Sequence, residues 1–391
     1  MCARSCEFHT TSGATRLRAE IFIAFACLLA IPALARAADF KALGGARELK
    51  GAPGIYEWRY EAIVGSSPFD KIGLHRMAKG PNPAASSPVM FYLPGTNMNG
   101  EVALDDPRYS LPVYLAQHGI DFWAVDYRTH FIPPTTEMKD LAELKNWTNE
   151  LFASDLDAAA VFVKRTTHYD KLFVAGFSRG AEFAYLFAAM NPASVEGLVL
   201  YDGFFPPPGR ALIANSISDY AEDLGGKHLT YDKREKLMQM VIENPDQPAP
   251  IPKYKTAREN LEHVVYDAGG PFGGHGGLGN PLGGYSDALV LAKVMIAEDR
   301  YWPAVQDGES PFTPKLVDAL KESKIPVLAF ASTNFNAKWP GMVAAAAHST
   351  GDPDPKVVTL KDWGHLDVIA GTKAEDGVFE PTVAFLKQHP K

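Results

Sequence analysis

The sequence predicts an α/β fold, a mostly parallel sheet with helices on both faces. Three observations predict it. Short apolar runs alternate with amphipathic stretches from about residue 54 onward. The later runs are apolar almost throughout, as strands must be when both faces are covered. The alternation is interrupted once, between Phe204 and about Ser323. With 391 residues, 46% hydrophobic and 21% charged, the chain is long enough to bury a sizeable core.

Each element has its own signal. "GIYEWRYEAIV" and "FDKIGLHRMA" read as two strands joined by a turn at "GSSPFD", an antiparallel edge to the sheet. "PVMFYLPG" is a short apolar strand ended by Pro-Gly, and "YSLPVYLAQHG" a helix stopped by Gly119. "IDFWAVDYR" is a buried strand. "ASDLDAAAVFVKRTTHYD" has apolar residues at three- and four-residue spacings, which predicts a long amphipathic helix. "KLFVAGF" (strand), "RGAEFAYLFAAMN" (helix) and "EGLVLYDG" (strand) follow directly. After the interruption come the strand "IPVLAFAST", the helix "PGMVAAAAHS", the strand "KVVTLKD" and a C-terminal helix around "PTVAFLKQH". No internal repeat is present.

The interrupting segment, 204–323, opens with "FFPPPGR" and contains "GGPFGGHGGLGNPLGG", nine of whose sixteen residues are glycine. Between such tracts lie periodic stretches such as "SDALVLAKVMIAEDRYW", so the expectation is a mainly helical cap and not a spacer. The glycine tract, 269–284, lacks the Lys-Ser/Thr of a phosphate-binding loop and reads as a flexible loop, with His275 as a lid residue.

At the N-terminus Arg16 and Arg18 precede the apolar run "IFIAFACLLAIPALA", followed by small residues at Ala35-Arg36-Ala37. This order predicts a secretory signal peptide over 1–37. The apolar run has 15 residues, short for a bilayer span of roughly 20; an uncleaved anchor is the alternative. The expected organisation is thus 1–37 signal peptide, 38–203 and 324–391 the two parts of the core, and 204–323 the cap. An exported chain cut after Ala37, periplasmic or extracellular, loses Cys2, Cys6 and Cys27, every cysteine present. It then has no disulfide, thiolate metal site or cysteine nucleophile. The net charge of −8, without a basic run, argues against nucleic acid as a partner. Asn146-Trp147-Thr148 is a glycosylation sequon.

One stretch carries chemistry. In Gly176-Phe177-Ser178-Arg179-Gly180 a serine lies between two glycines, where a strand gives way to a helix. A turn that sharp leaves no room for flanking side chains and holds the serine out at the helix N-terminus. A serine nucleophile also needs a base and donors for an oxyanion. Among the histidines, His365 in "KDWGHLDVIAG" leaves the last strand for a loop and is the expected base. His75 and His168 read as core or surface residues. A histidine base predicts activity that rises with pH through the ordinary imidazole range. The oxyanion donors are expected to be the backbone N–H groups of Arg179 and of Thr96 in "FYLPGTNMNG", with Asn97 second.

Taken together, the strand order, "LPGTN", "GFSRG", the insertion and "WGHLD" resemble the α/β-hydrolase superfamily over about residues 54–388, apart from the cap. The resemblance implies an eight-stranded, mostly parallel sheet, a Ser-His-acid triad in the chain order nucleophile, acid, histidine, and no cofactor or metal. The chain departs from the common pattern twice. The first oxyanion motif commonly begins His-Gly and is Pro94-Gly95 here. The acid in many members follows the seventh strand; here "AFASTNFNAKWPG" offers Asn334 and Asn336 and no carboxylate. Some members carry the acid after strand six, where this chain has Asp202 in "LVLYDGFF". Asp202 is therefore the expected acid, ahead of Asp362 and Asp367, which lie too close to His365 in sequence. Asp126 resembles the structural aspartate that often follows strand four.

These residues predict a serine hydrolase of small or medium-sized, partly apolar carboxylic esters. Amidase, peptidase, lactonase or acyltransferase chemistry on the same triad is the alternative, and a non-catalytic binding protein the rival from another class. His130, Phe204 and Trp339 are expected substrate contacts. Phe205, Tyr285 and Trp302 add aromatic surface that is either part of an apolar substrate site or core.

Overall fold

The structure is a computed structural model that describes residues 38–85, 87–101, 103–210, 226–227, 231–263, 285–308, 310–335 and 337–389. The expected signal peptide, the glycine tract with His275, and Asn336 lie outside the described residues.

Eight strands form the body of the sheet: β1 Ile55–Ile63, β2 Lys71–Lys79, β3 Val89–Leu93, β4 Asp121–Asp126, β5 Leu172–Phe177, β6 Val195–Tyr201, β7 Val327–Ser332 and β8 Lys356–Leu360. Their spatial order is β1-β2-β4-β3-β5-β6-β7-β8. β1 and β2 pair antiparallel, as do β2 and β4; from β4 to β8 every pairing is parallel. Two two-residue strands, Lys41–Ala42 and Arg47–Glu48, pair with β1 and bring this sheet to ten strands among the described residues. No periodicity signal exists at that length.

After β3 the chain steps to one side for β4, then returns to the other side for β5. A crevice opens at the carboxyl ends of strands where the order reverses in this way, and ligands bind there in open α/β sheets.

Among the described residues the α-helices longer than four residues are α1 Leu111–Gln117, α2 Asn149–Thr167, α3 Arg179–Met190, α4 Tyr231–Glu243, α5 Ala257–Glu262, α6 Ala288–Ile296, α7 Pro314–Ser323, α8 Trp339–His348 and α9 Glu380–Gln388. α2 starts where Thr148 accepts a hydrogen bond from the Leu151 N–H at 3.3 Å. It stops at His168, which takes the left-handed conformation that ends helices.

Alternate side chains of the strands feed two cores. Leu172 and Val174 of β5 join Phe91, Leu200 and Ala329 on the face covered by α2, α3, α7 and α8. Phe173, Ala175 and Phe177 join Tyr92, Tyr201 and Phe330 on the face of α1 and α9, together with the apolar residues of α4–α6. Burial on both faces explains why these strands lack polar alternation. Within the inserted segment α4, α5 and α6 pack on one another, while α7 packs on α3.

An ionic chain, exposed at Arg47 and buried from Glu57 inward, ties the antiparallel edge to the crevice. Arg47 meets Glu57 at 2.6 Å, Glu57 meets His75 Nδ1 at 2.8 Å, and His75 Nε2 meets Asp126 at 3.0 Å. Asp126, the last residue of β4, also accepts from the Gly100 N–H at 2.7 Å. Burial alone would push the His75 imidazolium down, but Asp126 and Glu57 outweigh it and hold it up at about 9. A folded value near 9 against an ordinary value near 6.5 corresponds to on the order of 3 kcal/mol. Because the folded value is raised, that stability is fully present below pH 6.5 and is lost as pH rises toward 9. Urea midpoints of the wild type should therefore fall between pH 6 and pH 9 more steeply than those of His75→Gln. Parallel slopes would remove this role from His75.

Candidate active site

Three glycines shape the turn around Ser178. A Cβ on Gly176 would sit 2.0 Å from the Gly180 carbonyl oxygen, and one on Gly180 would sit 1.8 Å from the Leu93 oxygen. A Cβ on Gly203 would meet the Ser178 oxygen at 2.4 Å and the Ala181 Cβ at 2.5 Å. The first glycine lets the chain double back from β5 into α3. The second seats α3 against the end of β3, and the third lets the exit of β6 pass over the turn. Ser178 itself has φ 55° and ψ −117°, a sparsely populated conformation for a non-glycine residue. Its N–H still bonds the Tyr201 carbonyl at 3.0 Å, so the strained residue is pinned to the strand beside it. It is half-buried at the carboxyl ends of β5 and β6.

Asp202 follows β6 directly, and its N–H bonds the Phe330 carbonyl at 3.0 Å. The carboxylate is wholly buried and receives four hydrogen bonds. His365 Nδ1 lies 2.5 Å from one oxygen, which also accepts from Ser332 Oγ at 2.7 Å. The other oxygen accepts from the Ser332 N–H at 2.6 Å and the Trp339 indole N–H at 3.0 Å. Those four donors satisfy both oxygens in a place closed to water. They also account for the missing carboxylate after β7: the end of β7 and the start of α8 supply donors to an acid that stands one strand over.

The imidazole of His365 stacks on Phe335 at 4.3 Å and lies tilted against Phe177 at 4.6 Å between centroids. Phe177 is the residue before Ser178, so this packing sets the ring beside the turn. With Nδ1 committed to Asp202, Nε2 is the nitrogen available to a hydroxyl. Asp367 holds the loop that carries the histidine. Its buried carboxylate accepts from the Gly364 N–H at 2.7 Å and from the Ser286 hydroxyl. Asp362 turns the same loop with φ 65°, its N–H on Thr333 Oγ1 at 2.8 Å.

The loop after β3 runs against Phe177, the residue before Ser178. Gly95, Thr96, Asn97 and Met98 form a turn closed by the Met98 N–H on the Gly95 carbonyl at 3.0 Å, with Asn97 at φ 61°. A positive φ at the third position is the mark of a type II turn. Gly95 approaches Phe177 so closely that a Cβ would lie 3.1 Å from its ring. The Arg179 N–H is the first of α3, where no intrahelical acceptor exists. Its guanidinium is buried, 2.7 Å from Glu182 and paired with Asp307, which anchors the first turn of α3 to the end of the inserted segment.

The structure brings Ser178, Asp202, His365, Thr96 and Arg179 to one edge of the sheet. The expected substrate contacts fall differently. Trp339 is buried with its indole nitrogen on Asp202, and Phe204 packs edge-on against it at 4.8 Å. His130 pairs with Asp299 at 2.9 Å and keeps 22% of its side chain exposed. Burial would lower the His130 imidazolium, yet Asp299 and Asp126 raise it to about 9. Trp302 is core, packed against Tyr127 and Phe152. Phe205 stacks on Phe312 at 4.3 Å, and Tyr285 lies against Trp363 at 5.5 Å. Asp367, placed behind Asp202 as an acid, holds the histidine loop instead. Ser332 and Phe335 carry no motif and were not expected at the site. The empty seat after β7 was their one signal.

No protein-family model and no curated protein matches the chain. Among solved structures it is similar to a candidate lipase from Sulfolobus solfataricus, at 24% identity over 90% of this chain and 99% of that one, with a TM-score of 0.72. It also matches an esterase from Thermogutta terrifontis at 16% identity over 85% of this chain and 99% of that one, at 0.49. The fold assignment rests on the first of these and on the strand order. The chain has the α/β-hydrolase fold.

Proposed function

We propose that the protein is a serine hydrolase that cleaves small, partly apolar carboxylic esters. The observation that carries this reading is the buried His365–Asp202 pair at 2.5 Å, with the imidazole against the ring of Phe177, the residue before a strained serine. In this reading His365 Nε2 takes the Ser178 proton as the oxygen attacks the ester carbonyl. Asp202 fixes the tautomer and stabilises the imidazolium. The N–H groups of Thr96 and Arg179 hold the oxyanion. The imidazolium then protonates the leaving alcohol, and water attacks the acyl-enzyme by the same route to release the acid.

The similar lipase structure supports the choice of esters as a class, by analogy of fold. In the same proposal residues 1–37 direct export and are removed, and 204–323 forms a cap between the two parts of the core. Among the described residues no helix is long and apolar enough to cross a membrane.

The protein lacking residues 1–37, tested on p-nitrophenyl esters, lactones and amides, should turn over short esters fastest. A clear preference for amides or lactones would reassign the substrate class. Inertness to the whole panel would favour a binding protein.

A further inference from the structure

Where the inserted segment returns to the core, Asp299 makes five contacts with two loops of the sheet edge. Its N–H bonds the Asn97 carbonyl at 2.5 Å, and its own carbonyl accepts from Asn97 Nδ2 at 2.8 Å. One carboxylate oxygen accepts from Asn99 Nδ2 at 2.9 Å and faces His130 Nδ1 at 2.9 Å. The other accepts from Thr129 Oγ1 at 3.4 Å. Asn99 also bonds the Ala297 carbonyl at 2.8 Å. The carboxylate is 7% exposed, and burial pushes its carboxyl up, so the bonds from His130 and Asn99 are what keep the charge in place.

The geometry matters because of what Asn97 does. It sits at φ 61° in the turn that carries Thr96, the left-handed conformation that a type II turn needs at this position and that asparagine accepts, and the aim of the Thr96 N–H depends on what restrains this turn. The reciprocal bonds between Asn97 and Asp299 supply that restraint, and the Asn99 and His130 bonds fix Asp299 in turn. Asn97 and Asp299 lie far apart in sequence, so the inserted segment braces this turn from outside it.

We propose that Asp299 is a positioning residue that holds the Gly95–Met98 turn so that the Thr96 N–H is aimed at the oxyanion. The inference rests on the serine-hydrolase reading. It assigns Asp299 no contact with substrate. Its loss should weaken transition-state stabilisation and leave ground-state binding nearly intact.

The test is steady-state kinetics of Asp299→Ala, Asp299→Asn, Asn99→Ala and the Asp299→Ala/Asn99→Ala double variant on the best p-nitrophenyl ester. Asp299→Ala should lower kcat on the order of 10-fold to 100-fold, with KM changed less than about threefold. Asp299→Asn, which keeps one acceptor oxygen, should recover part of that loss. Asn99→Ala, a half-buried loop position, should lower kcat in the same sense and add little to Asp299→Ala, because the two act through one bond. It also keeps the test open if Asp299→Ala does not fold.

Wild-type kcat in folded Asp299→Ala or Asn99→Ala overturns the proposal and leaves the hydrolase reading standing. So does a rise in KM at constant kcat, which would make Asp299 a substrate contact or a cap anchor. A wild type inert to the ester panel and to a fluorophosphonate overturns both.

Discussion

Replacing Ser178 by alanine is expected to lower kcat for ester cleavage on the order of 10⁶-fold while the protein stays folded. The loss is that large because no other group in the site can form the acyl-enzyme. The Thr96 and Arg179 N–H groups and the substrate pocket would remain, so a small residual rate over water should survive. Alanine at this position keeps the Cβ and the N–H that bonds Tyr201, so stability should change little. The unusual backbone angles of Ser178 come from the three close glycine contacts, which the substitution does not touch. Kinetics with matched thermal melts check this; an active Ser178→Ala variant would move the chemistry elsewhere.

Asp202→Asn should cost on the order of 10⁴ in kcat. The carboxylate accepts from Ser332 twice, from Trp339 and from His365. An amide has one acceptor oxygen, so its NH₂ must face at least one of those donors in a fully buried place. If the NH₂ turns to His365, Nδ1 must give up its proton and Nε2 takes it, and the base is then in the wrong tautomer. If it turns to Ser332 or Trp339, a buried donor is left unsatisfied, and stability falls as well. Asn336→Ala, in the segment after β7, should leave kcat within a few-fold of wild type. Comparable losses for both variants would mean that the partner of the histidine comes from that segment and not from β6.

The parts of this site that follow from local pattern were legible in the sequence. "FVAGFSRGAEF" announces a strand, a turn that needs glycine and a helix, and the structure forms all three. Asp202 was legible through the resemblance, which puts the acid after strand six where the segment after β7 offers no carboxylate, and the structure sets it 2.5 Å from His365. What supports those residues was not legible. Ser332 and Trp339 donate to Asp202 from more than a hundred positions away, and serine and tryptophan carry no signal for that task. Asp299 lies in a stretch of helical periodicity, and only the folded chain shows that it meets Asn97, Asn99 and His130. His130 and Trp339 read as substrate contacts because they lie near the right strand ends. The structure gives each of them a carboxylate partner, Asp299 and Asp202. The edge strands at Lys41 and Arg47 are too short for any period to register.

The central claim is that Ser178 is a nucleophile activated by its folded surroundings. A fluorophosphonate reports on that directly, because it phosphonylates a serine only when base and oxyanion donors act together. Peptide mapping of the folded protein lacking residues 1–37 should show one label, on Ser178, absent after denaturation and lost in His365→Ala. A folded wild type left unlabelled at Ser178, or labelled equally well without His365, would contradict the account.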